Sequence, residues 1–138
     1  NAQLIQALRQ IKAAIDFNQY QGILQGAIAA LQSPPTLVQE TVNTFAQRSA
    51  TLVKALKAIG WDVPLPNATM YIWAKLPPRW SGSATDFCQQ LVKTTGVALS
   101  PGSGFGEAGE GFVRFALVKE PEILEDAAQK IGEFLASL

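Results

Sequence analysis

The chain has 138 residues, no histidine and a single cysteine, Cys88. Without histidine it cannot assemble a Ser-His-Asp or Cys-His arrangement from its own residues. A lone cysteine rules out an internal disulfide and a zinc site of the usual kind, and it fits a reducing compartment, so a cytoplasmic location is expected. An excess of one charge is missing too, because eleven basic and eleven acidic residues cancel. No basic stripe points to nucleic acid, and no acidic tail points to a solvated arm. No uninterrupted apolar run approaches the roughly 20 residues of a membrane span, so no membrane is expected as partner. The first residues, NAQLIQALRQ, show neither an initiator Met nor a secretory pattern and open straight into an amphipathic helix. That opening is what a piece of a longer chain would show. Apolar residues make up 48% of the chain, ample for one domain with a real core.

Periodicity organises the chain. Leu4, Leu8, Ile11 and Ile15 form one helical stripe, and Ile23, Leu24, Ile28 and Leu31 form a second. The paired prolines Pro34 and Pro35 end the second. A long helix then carries Val38, Val42, Phe45, Leu52, Val53, Leu56 and Ile59, with Gly60 as its left-handed stop. Residues 69–76 (TMYIWAKL) suit a strand, in which Tyr71 and Trp73 are expected as core residues. A helix over 83–95 stops at Gly96, and 97–99 suits a short strand. Pro121 opens a terminal helix whose stripe holds Ile123, Leu124, Ala127, Ile131, Phe134 and Leu135. The order predicts an α+β fold, a sandwich of a small sheet covered by helices.

The stretch from Ser100 to Lys119 concentrates the chemistry. It holds five glycines between Gly102 and Gly111, then an alternating run with Arg114 inside it. Phe112, Arg114 and Ala116 share one side of a strand; Val113, Phe115 and Leu117 share the other. A guanidinium presented there can hold a carboxylate or phosphate through two parallel hydrogen bonds. Spacing alone equally allows an edge-strand arginine paired with Glu110 or lying in solvent.

Pro101-Gly102-Ser103-Gly104-Phe105-Gly106, followed by Arg114 in a Val-Arg-Phe context, resembles the C-terminal signature of class I/II aminotransferases, fold-type-I enzymes using pyridoxal phosphate. Asn67-Ala68-Thr69-Met70-Tyr71-Ile72-Trp73 resembles the strand motif of that family's small domain. The resemblance implies that residues 1–32 are the last helices of the large cofactor domain and 33–138 the small domain. It implies that Arg114 grips the α-carboxylate of the substrate, with Gly104, Phe105 and Gly106 in a mobile active-site loop. It also implies α-amino acid and 2-oxo acid substrates, a homodimer, and a contact of Asn18 and Tyr20 (in the stretch 16–20) with the partner subunit's site. The Ala-Thr-Met-Tyr variant and the Gly-Glu-Gly-Phe-Val-Arg context resemble the diaminopimelate and aspartate branches. The first two-thirds of the enzyme, with the lysine that carries the cofactor, would lie upstream, so this chain alone is expected to be inactive and to bind no cofactor.

Other readings stay open beside it. Lys54 in Thr51-Leu52-Val53-Lys54 mimics the cofactor-lysine spacing but falls inside the long helix. The glycine loop misses the dinucleotide fingerprint, because Glu107 stands where the third glycine belongs and no helix follows. Glu107 and Glu110 suit solvated loop acids, and Cys88 suits buried packing. A non-catalytic ligand-binding module of the same fold would share these features. So would another enzyme of the superfamily, such as a β-lyase or an aminocyclopropane-carboxylate synthase.

Overall fold

A computed structural model describes residues 1–16 and 18–138. Its elements run α1 (Ala2–Ile15), α2 (Gln21–Gln32), α3 (Thr36–Ala58), β1 (Tyr71–Lys75), α4 (Ala84–Thr95), β2 (Ser100–Pro101), β3 (Phe112–Ala116) and α5 (Pro121–Ala136). They divide into two compact units, Asn1–Gln39 and Glu40–Leu138.

In the first unit Asn1 caps α1, its side-chain oxygen accepting the N–H of Gln3 at 3.0 Å and of Leu4 at 3.4 Å. The expected apolar stripes are exposed: Leu4, Leu8, Ile11 and Ile15 on α1, and Ile23, Ile28 and Leu31 on α2. Neither helix contains a buried residue. These helices form from local pattern and capping, without a core of their own.

The second unit is built from well-marked helix ends. At Gly60, with φ of 85°, the Trp61 N–H reaches Leu56 O and the Gly60 N–H reaches Lys57 O, both at 3.0 Å. This paired-bond ending satisfies the last carbonyls of α3 and turns Trp61 into the core. There the Trp61 indole N–H donates to Lys75 O at 2.9 Å, and its ring packs on Phe87 and Phe115. Ser83 caps α4 through the Asp86 N–H, and Gly96, in the left-handed region, closes it. Pro121 takes the first turn of α5, where its missing N–H costs nothing.

The sheet has the order β1-β3-β2, antiparallel throughout. Its inner face, with Ile72, Ala74, Val113 and Phe115, is buried in one core with Leu52 and Leu56 of α3, Phe87 and Leu91 of α4, and Leu124, Ile131 and Phe134 of α5. Leu117 continues that face, and its N–H extends the ladder to Met70 O at 2.9 Å. The α+β class and the sidedness of β3 follow the sequence expectation. Tyr71 and Trp73 do not: they stand on the opposite face, where Trp73 is 38% exposed. Strand alternation puts them there once Ile72 and Ala74 face inward. Within this unit, α3, α4 and α5 share the core with the inner face of the sheet.

Several stripe residues are also placed differently. Val38 and Val42 are exposed, as is Ile123, while Ala128 is buried on α5 in place of Ala127. The short strand falls at Ser100–Pro101 rather than 97–99. Cys88 is buried, and that burial pushes its thiol up to about 11, which leaves it protonated and inert at neutral pH.

Candidate active site

Arg114 lies on β3, the central strand, paired with Trp73 of β1 on one side and Ser100 of β2 on the other. The edge-strand alternative is thereby overturned. So is a pairing with Glu110, whose carboxylate instead accepts the Ala84 N–H at 2.7 Å and the Gly111 N–H at 3.1 Å. Those two backbone donors hold the Glu110 carboxyl below the usual carboxylate range. Glu110 is thus a clasp between the glycine loop and the start of α4, not a loose loop acid. Ser103 adds a second tie, its hydroxyl 3.4 Å from that of Thr85.

The Arg114 guanidinium packs against two rings. Its central carbon is 4.3 Å from the centroid of Tyr71 and 4.4 Å from that of Phe105. Phe105 meets Trp73 edge-on at 5.7 Å, and Trp73 stacks on Phe112 at the same distance. Both rings lie within cation–π reach of the guanidinium, whose donors point outward in its own plane. Nη2 makes one long contact to Ser100 Oγ at 3.4 Å, and Nε is buried with no hydrogen-bond partner. Among the described residues Arg114 makes no ion pair. Arg48 shows the contrast: it donates from Nη1 to Leu117 O at 3.3 Å and from Nη2 to the Glu120 carboxylate, joining α3 to the end of the sheet. Arg48 Nε is likewise buried without a partner, but both its terminal nitrogens are engaged, whereas the Arg114 fork retains donors for a planar two-oxygen anion.

The loop between β2 and β3 is folded rather than slack. Two 3-10 turns, Gly102–Phe105 and Glu107–Gly109, are separated by Gly106, whose φ of 120° suits glycine alone. The backbones of Gly102 and Gly109 touch so closely that a Cβ on Gly102 would stand 2.2 Å from Gly109 O. Gly104, Phe105 and Gly106 form the exposed tip. Asn18 and Tyr20 belong to the other unit, between α1 and α2, and both are exposed; Phe17 lies outside the described residues. The sequence alone does not group Tyr71, Trp73 and Ser100 with Arg114, as the structure does. Alternation in β1 was visible, but only the register Trp73↔Arg114 shows which residues join the arginine.

The residues present do not fit pyridoxal phosphate. That group needs a lysine in an enclosed pocket and donors for its phosphate. All seven lysines of the chain are exposed. Lys54 borders an open groove with Ala55, Ala58, Glu125 and Gln129, where no phosphate cradle exists. Among the described residues no group of three potential metal ligands stands together, and no helix is long and apolar enough to cross a membrane.

The sequence model described as "Aminotransferase class I and II" matches residues 1–131. The LL-diaminopimelate aminotransferase of Dehalococcoides mccartyi is 37% identical over 134 residues, covering 97% of this chain and 34% of that enzyme. The enzyme of the same name from Halothermothrix orenii is 35% identical over 128 residues, covering 93% of this chain and 32% of its own length. A solved structure from Thermus thermophilus, described as a probable N-succinyldiaminopimelate aminotransferase, superposes with a TM-score of 0.78 at 41% identity, covering 94% of this chain and 34% of that one. The chain thus spans about a third of the length of the relatives it matches. Matched over nearly all its residues, and identical to these enzymes at more than a third of the aligned positions, the chain belongs to the class I and II aminotransferase family.

Proposed function

We propose that this chain is the C-terminal part of a pyridoxal-phosphate aminotransferase that moves an amino group between an α-amino acid and a 2-oxo acid. Residues 1–32 then belong to the large domain, which brings the cofactor lysine, and 33–138 form the small domain. Pyridoxal phosphate supplies the electron sink for the transfer when bound to the whole enzyme. The contribution of this chain is recognition: Arg114 holds the α-carboxylate common to every substrate. The observation that carries the reading is the guanidinium itself, central in the sheet, packed against two aromatic rings and with donors left over.

In the working enzyme the loop 101–111 moves with its domain to close over substrate and exclude water. Its clasp to α4 through Glu110 suits movement as one piece. The working enzyme is a cytoplasmic homodimer, in which Asn18 and Tyr20 reach the partner subunit's site. The shared name of the relatives favours a diaminopimelate-type amino acid as substrate.

Arg114→Lys in the full-length enzyme tests the central assignment. Two charge-assisted bonds are at stake, each worth roughly 1.5–3 kcal/mol, and lysine keeps the charge but loses the fork. The substitution lowers kcat/KM by about a hundredfold or more on two substrates with dissimilar side chains, while cofactor content stays normal. Near wild-type kcat/KM on both removes Arg114 from the role.

A further inference from the structure

We infer that Tyr71 and Phe105 are positioning residues for Arg114, one on the sheet and one on the loop tip, an inference that rests on the carboxylate reading of that arginine. A guanidinium on a long side chain is free to turn about several bonds, and a bidentate contact requires that freedom to be given up. Two rings at 4.3 and 4.4 Å restrict it beforehand by packing against the guanidinium. Tyr71 is half-buried on β1, in the rigid sheet. Phe105 is different: it is 54% exposed, on a loop tip between Gly104 and Gly106. A large apolar ring left so open is not there for the core. Its contacts are with Arg114 and, edge-on, with Trp73, whose own stack on Phe112 fixes where Phe105 can rest. The loop thus reaches the substrate carboxylate through the arginine it orients, which makes loop position and carboxylate affinity two readouts of one contact.

The experiment uses the full-length enzyme with its cofactor bound, labelled with nitrogen-15, with the Arg114 Nε–H signal as the readout and pyruvate as the carboxylate probe. In the wild-type enzyme this signal is displaced by the two rings and moves further as pyruvate is added; Arg114→Lys removes it. Phe105→Leu and Tyr71→Leu each return the signal toward its ordinary position and weaken pyruvate binding about tenfold. Phe105→Tyr and Tyr71→Phe restore both, which a purely structural role for the side chains would not require. The exposure of Phe105 means its replacement leaves the core intact, and the dispersed backbone spectrum checks this for each variant. If both leucine variants bind pyruvate as tightly as wild type, the positioning role is wrong while the arginine assignment stands. If pyruvate leaves the wild-type Arg114 signal unmoved, the carboxylate assignment falls and the positioning role falls with it.

Discussion

Gly102 and Gly104 are two residues apart in one loop, yet the structure asks opposite things of them. A methyl group on Gly102 would sit 2.2 Å from Gly109 O and 2.7 Å from Phe112 O, both backbone atoms that cannot step aside. A methyl group on Gly104 meets nothing within 4 Å, and its backbone is not in the left-handed region. Gly102→Ala is therefore expected to destabilise the folded chain by about 1–3 kcal/mol or to unfold the loop, as overpacking does. Gly104→Ala stays within about 0.5 kcal/mol of wild type, as surface changes do. Denaturant unfolding of the two variants side by side checks the pair; equal losses would mean that the close backbone crossing is not what Gly102 provides.

At the scale of elements, the loop and α4 are joined by a charge. Glu110 accepts the Ala84 and Gly111 N–H groups, and these bonds lower its pKa in the folded chain. A carboxyl depressed on folding binds fewer protons in the native state than in the unfolded one, so its contribution grows with pH. The contribution is fully present above the ordinary carboxylate pKa and is lost as pH falls through the lowered folded value. Glu110→Gln keeps an acceptor oxygen but not the charge. Thermal unfolding should therefore show a deficit for Glu110→Gln at pH 7 that shrinks as both proteins are taken into acid below the carboxylate range. A deficit that is constant with pH would assign the effect to shape rather than charge.

At the scale of the whole molecule, the buried core draws on residues from Leu52 onward, with Phe45 packed against it. Helices α1 and α2 contribute none. Limited proteolysis is expected to cut within residues 1–32 first, and a chain lacking them should melt within a few degrees of the intact one. A large fall in melting temperature on truncation would show that these helices support the core. The proposed assignment of the cofactor lysine to the rest of the enzyme gives a second expectation. Incubating the chain with pyridoxal phosphate, reducing and mapping the adduct should yield scattered low-level labelling of exposed lysines and no amino transfer. One stoichiometric, site-specific lysine label would contradict it.

Features that rest on neighbours along the chain can be read directly from the residues. Helical periods, the stops at Gly60 and Gly96 and the alternation around Arg114 are all local, and each was legible from a few residues. The glycine-loop and arginine motif named the family for the same reason. Tertiary structure decided which side of each pattern faces the core. Tyr71 and Trp73 are as apolar as any core pair, and Val38, Val42 and Ile123 keep helical spacing, yet all five remain wholly or partly open to solvent. Burial depends on what packs against a face, and that partner comes from distant sequence. The pairing of Trp73 with Arg114 spans some forty residues, and Phe105 reaches Arg114 from a loop in which the Gly102 and Gly109 backbones meet. Register and loop closure are long-range choices, so the aromatic contacts of Arg114 could be found only in three dimensions.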